Sequence, residues 1–87
     1  MSQENGKVHE PHIINYDVDD EPQVTTEKVL TPHQILSNAQ INVENHYLVQ
    51  LKGQNQQVSY KDKMDEPIHM HENMRFISVE IGETPVS

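Results

Sequence analysis

The chain carries one clear helix signal, and the helix it predicts is short. In Thr31-Pro32-His33-Gln34 a hydroxyl able to accept from free helical N–H groups precedes a proline at the first helical position, where the missing donor costs nothing. Gln34, three residues after Thr31, has the reach to complete a capping box. The spacing predicts a helix over 32–39, with Ile35, Leu36 and Ala39 on one stripe and Val29 or Leu30 anchoring the approach. Two turns are not stable alone in water. The helix must therefore lie across a sheet that the rest of the chain supplies.

Short β-branched and aromatic runs provide that sheet. Residues 12–18 (His-Ile-Ile-Asn-Tyr-Asp-Val) and 23–28 read as two strands joined at Asp19-Asp20-Glu21-Pro22, which makes a hairpin. After the helix, 41–45 reads as a turn with room for a single helical turn. Residues 46–51 form the most apolar strand, 53–56 a turn, and 57–60 a polar edge strand. A charged loop over 61–67, a brief extended piece at 68–70 and a last strand over 74–81 complete the order. Strand, strand, helix, strand, short strand, strand is the order of a β-grasp domain. The expected class is α+β, a mixed sheet of four to five strands with one helix packed across it. Residues 1–11 hold Val8 as their only aliphatic residue beyond Met1 and read as a disordered tail. The domain is expected over 12–81, with 82–87 as a flexible C-terminal tail.

Composition narrows the function. Six Lys and Arg against fourteen Asp and Glu give a formal charge of −8, and the cations form no run. Nucleic acid and anionic membranes are poor partners for such a surface, because phosphate binding rests on clustered cations. With no cysteine there is no disulfide, thiolate metal site or thiol nucleophile. No apolar run approaches a membrane span, and the first residues lack the apolar stretch of a secretory leader. The cytoplasm is the expected location.

Candidate chemical sites are thin. His69 and His71, two apart, would project to one side of an extended segment as a chelating pair could. Even an open zinc site uses three protein ligands, and spacing places no third; these read as surface histidines, and no metal or cofactor is expected. Asp17, Asp19, Asp20 and Glu21 lack the regular oxygen offsets and glycine turn of a calcium loop and read as a solvated turn. Ser37, Ser59, Ser78 and Ser87 sit in no nucleophile motif. The expectation is a protein with no catalytic residues.

Two strands carry more apolar residues than one buried face needs. Alternation puts Met74 and Phe76 on one side and Ile77, Val79 and Ile81 on the other; Tyr47, Val49 and Leu51 likewise face away from Leu48. A sheet covered by a single helix leaves one face free, so a partner-binding patch is expected there, with Leu48, Ile77 and Val79 as members.

Between Ile13 and Val79 the chain resembles the bacterial multiubiquitin-type domain family of ubiquitin-like proteins. The resemblance is carried by Asp19-Asp20-Glu21-Pro22, Leu30-Thr31-Pro32, Gln34-Ile35-Leu36, Val43-Glu44-Asn45-His46-Tyr47-Leu48-Val49, Asp65-Glu66-Pro67-Ile68-His69-Met70-His71-Glu72 and Arg75-Phe76-Ile77. It implies a protein modifier handled by activating and conjugating enzymes and a deubiquitinase-like protease, acting through the tail Gly82, Glu83, Thr84, Pro85, Val86 and Ser87. The tail departs from the Gly-Gly end of ubiquitin: Gly82 stands alone, and Pro85 stiffens the end. A non-covalent adaptor using the same face is the alternative, and a metal-binding role comes third.

Overall fold

The computed structural model describes residues 12–81. The expected tails over 1–11 and 82–87 lie outside the described residues.

The first corner is tighter than the sequence suggests. Strand β1 (Ile14–Val18) turns through Asp19 and Asp20 alone into β2 (Glu21–Thr25). Both turn residues have positive φ, 55° and 66°, the left-handed pair that a two-residue hairpin requires and that aspartate tolerates better than most side chains. Pro22 therefore lies inside a strand instead of in the loop. It pairs with Asp17 on a sheet edge, where its missing donor faces no neighbour.

Val29–Leu30 (β3) pairs with Ile68–His69 (β6) as a separate two-stranded ladder. The sequence read 29–30 only as an anchor for the helix; two residues are too few for periodicity to mark a strand. Helix α1 (Pro32–Asn38) then starts on the expected capping box. The Gln34 N–H donates to Thr31 Oγ1 at 3.1 Å, and the Thr31 N–H donates to Gln34 Oε1 at 2.9 Å. Gln40, at φ 65°, closes the far end. The Ile41 N–H reaches back to the Leu36 carbonyl (3.0 Å) and the Gln40 N–H to that of Ser37 (2.9 Å). This bonding pattern is a Schellman cap, with Ile41 packed against the core beside it. The single helical turn allowed for at 41–45 is absent; these residues form a turn and bend.

Strands β4 (His46–Lys52), β5 (Gln56–Ser59) and β7 (Met74–Glu80) complete a five-stranded sheet of order β2-β1-β7-β4-β5. The central β1 and β7 run parallel, and every other neighbour is antiparallel. Gly53 supplies the left-handed turn (φ 62°) between β4 and β5. A hairpin, a helix crossing one face and a parallel central pair make this a β-grasp fold of the α+β class, as the element order led us to expect.

The core lies between α1 and one face of the sheet. Ile35 and Leu36 are fully buried against Ile14, Tyr16 and Val18 from β1, Leu48 from β4 and Phe76 from β7, with Leu30, Ile68 and Met70 closing one side. Tyr16 and Phe76 meet edge to face, their centroids 6.0 Å apart and their planes at 88°, the arrangement that sets a positive ring edge on a negative face.

Candidate functional site

Residues directly opposite on antiparallel strands share a face, so the β4–β7 register decides which apolar side chains are free. Leu48 stands opposite Ser78, and Gln50 opposite Phe76. These belong to the helix side. Tyr47 stands opposite Val79, Val49 opposite Ile77, and Leu51 opposite Arg75; these belong to the open side. Leu48 is therefore not part of the expected patch. It has no exposed surface and sits under α1 in the main core. Ile77 and Val79 lie on the open face, half-buried.

That face carries an apolar cluster of Tyr47, Val49, Leu51, Ile77 and Val79. Val49 keeps only 5% of its surface although it lies outside the core cluster. Ser59 flanks it on β5, and Arg75 is paired with Asp17 on the β1 side. The Lys61 ammonium lies 5.7 Å from the centre of the Tyr47 ring, near enough for a cation–π contact at the rim. Arg75 also approaches Asp20 at 3.7 Å across exposed surface, a pair worth little in water. An apolar centre with a mixed-charge rim is the arrangement of protein-docking surfaces.

The two strands that bear the cluster end together. The Ile81 N–H donates to the Asn45 carbonyl at 2.8 Å, just past the His46–Glu80 pair, so the chain leaves the sheet beside Tyr47 and Val79. The expected tail, Gly82 to Ser87, continues from there and is outside the described residues.

Elsewhere the surface offers open concavities. A groove of about 440 Å³ runs between the first hairpin and the end of α1, with Asp19, Glu21, Asn38 and Gln40 among its lining residues. Two tyrosine hydroxyls titrate above the ordinary value. Burial pushes Tyr16 up, partly opposed by the nearby Asn38 side chain; the hydroxyl is buried and, among the described residues, no group meets it in hydrogen-bonding geometry. Burial raises Tyr60 as well, with the Glu66 charge adding to the shift, and its hydroxyl donates weakly to Gln50 Oε1 at 3.4 Å.

No protein-family model, curated protein or solved structure matches the chain.

Tyr47, Val49 and Leu51 were missing from the patch read from sequence, although alternation had placed them on one side of their strand. Knowing which β7 residue opposes Leu48 would have found them.

Proposed function

We propose that this protein is a bacterial, cytoplasmic ubiquitin-like modifier without catalytic activity, recognised through the open sheet face and attached through its C-terminal tail. One observation carries the reading. On the face its helix leaves bare, a β-grasp sheet presents half-buried Tyr47, Leu51, Ile77 and Val79 around a buried Val49, next to the point where the chain departs at Ile81. A partner seated on Tyr47, Ile77 and Val79 would hold residues 82–87 close to its own active site. The chemistry then belongs to that partner. An activating enzyme transfers AMP from ATP to the terminal carboxylate with release of pyrophosphate, and a partner thiol displaces AMP to form a thioester for conjugation. A deubiquitinase-like protease would trim or release the tail.

The single Gly82, followed by Glu83 and Pro85, favours a second reading, a non-covalent adaptor that uses the same face without tail chemistry. Incubation with ATP and an activating enzyme from the same genome, followed by intact-mass measurement, separates the two. An AMP or enzyme adduct, or cleavage within residues 82–87, supports the modifier. An unchanged mass, with partner binding that survives deletion of residues 83–87, supports the adaptor.

A further inference from the structure

The two edges of the sheet, β2 and β5, are built differently. On β1 the Asn15 carbonyl accepts from the Asn73 N–H beside β7. Odd residues of β1 therefore turn their backbone groups toward β7, and even ones turn toward β2. Their partners Glu21, Gln23 and Thr25 are satisfied, which leaves Pro22 and Val24 turned outward. Proline has no N–H to give, and the adjoining Asp20 and Glu21 are exposed carboxylates. Those are the devices that close an edge to another strand. β5 has neither. The Tyr60 N–H donates to the Leu48 carbonyl at 2.9 Å, so Gln56 and Val58 face β4 and Gln57 and Ser59 turn outward. Among the described residues no strand pairs with that outer side. Of the whole chain 23% is charged, yet residues 55–60 (Asn-Gln-Gln-Val-Ser-Tyr) hold no charge and no proline. The open edge stops where the Lys61 N–H turns back onto Ser59 Oγ at 3.3 Å.

We propose that β5 pairs with β5 of a second copy of this chain, antiparallel about a two-fold axis at Val58. In that register Gln57 of each copy faces Ser59 of the other, and each such pair exchanges both of its backbone hydrogen bonds. Gln56 then meets Tyr60, and Asn55 meets Lys61, so no like charges meet across the join. Each copy carries −8 overall, and an uncharged edge is where two such chains approach at least cost. Val58, half-buried on the helix side opposite Gln50, meets its own counterpart at the axis, where side chains of a non-hydrogen-bonded pair lie closest. Opposite residues share a face. Both helices therefore lie on one side of the joined sheet and both Tyr47–Val79 clusters on the other. The pairing is independent of any role as a modifier.

Sedimentation equilibrium of the 87-residue chain from roughly micromolar to millimolar concentration, at physiological ionic strength, tests it. A reversible rise from one chain mass to two is expected, with Overhauser contacts between the Val58 residues of differently labelled copies. Gln57→Lys with Ser59→Lys sets like charges opposite each other at both pairs and should weaken association by about tenfold or more. Gln57→Lys with Ser59→Glu sets opposite charges there and should restore it. Val24→Lys, on the closed edge, should leave it unchanged. All three positions are exposed, and a circular dichroism spectrum checks that each variant is folded. A chain that stays monomeric throughout, association indifferent to the Lys–Lys change or not restored by the Lys–Glu change, or association lost in Val24→Lys would each overturn the proposal.

Discussion

Asp19 and Ser78 are 59 residues apart, and the Asp19 carboxylate accepts from both the Ser78 backbone N–H, at 2.8 Å, and the Ser78 hydroxyl. The Asp19 N–H in turn donates to the Phe76 carbonyl at 2.9 Å. One turn residue thus fastens the first hairpin to the last strand where the parallel β1–β7 ladder ends. Asp19→Ala removes two charge-assisted bonds and leaves a β-carbon in a left-handed conformation that aspartate tolerates better. A loss of about 1–3 kcal/mol in urea unfolding is expected, with Asp19→Asn costing less. Ser78→Ala should cost less in the Asp19→Ala background than alone. Additive costs would show that the contact does not couple the strands.

Gln40 ends α1 at φ 65°, in a role glycine fills most easily. Gln40→Gly relieves a left-handed penalty of about 1–2 kcal/mol but gives the unfolded chain about 0.4–1 kcal/mol of extra entropy. The first term is larger. A net gain of about 0.5–1 kcal/mol is expected in thermal melts; a lower Tm would contradict the cap.

Tyr16 hides a hydroxyl that has no hydrogen-bond partner among the described residues. Tyr16→Phe should be neutral or stabilising by up to about 1 kcal/mol, because it removes a desolvated donor and keeps the ring contact with Phe76. The raised folded pKa sets a sign. Below the unfolded tyrosine value of about 10, stability is at full strength, and it falls as pH rises through the higher folded value. Denaturant midpoints between neutral and strongly alkaline pH should fall less steeply for Tyr16→Phe than for wild type.

The helix, the existence of the hairpin and the long strands were legible because each has a local cause: the Thr31–Gln34 box, the turn-forming run at 19–22, the alternation over 74–80. That the turn is only Asp19–Asp20, with Glu21 and Pro22 already in a strand that ends at Thr25, was not. What was not legible depends on pairing. Val29–Leu30 becomes a strand only because Ile68–His69 lies beside it. Leu48 goes to the core because Ser78, not Ile77 or Val79, stands opposite. A one-residue slip would exchange the two faces, and no local property of Leu48 reveals which register is adopted.

Leu48→Ala should cost about 2–5 kcal/mol by opening a cavity beneath α1. Val79→Thr keeps a branched side chain suited to a strand and should stay within about 1 kcal/mol of wild type. Equilibrium unfolding of both variants checks the pair, and equal costs would put the two residues in one environment.

Recognition through the bare side of the sheet requires that β4 and β7 pair in the register described. Proton–proton distances from nuclear Overhauser spectra read this directly. Leu48 methyls should lie close to Ile35, Leu36 and Phe76, and Val49 methyls close to Ile77 and to neither helix residue. Leu48 methyls found instead against Ile77 and Val79, with Val49 turned toward α1, would contradict the account.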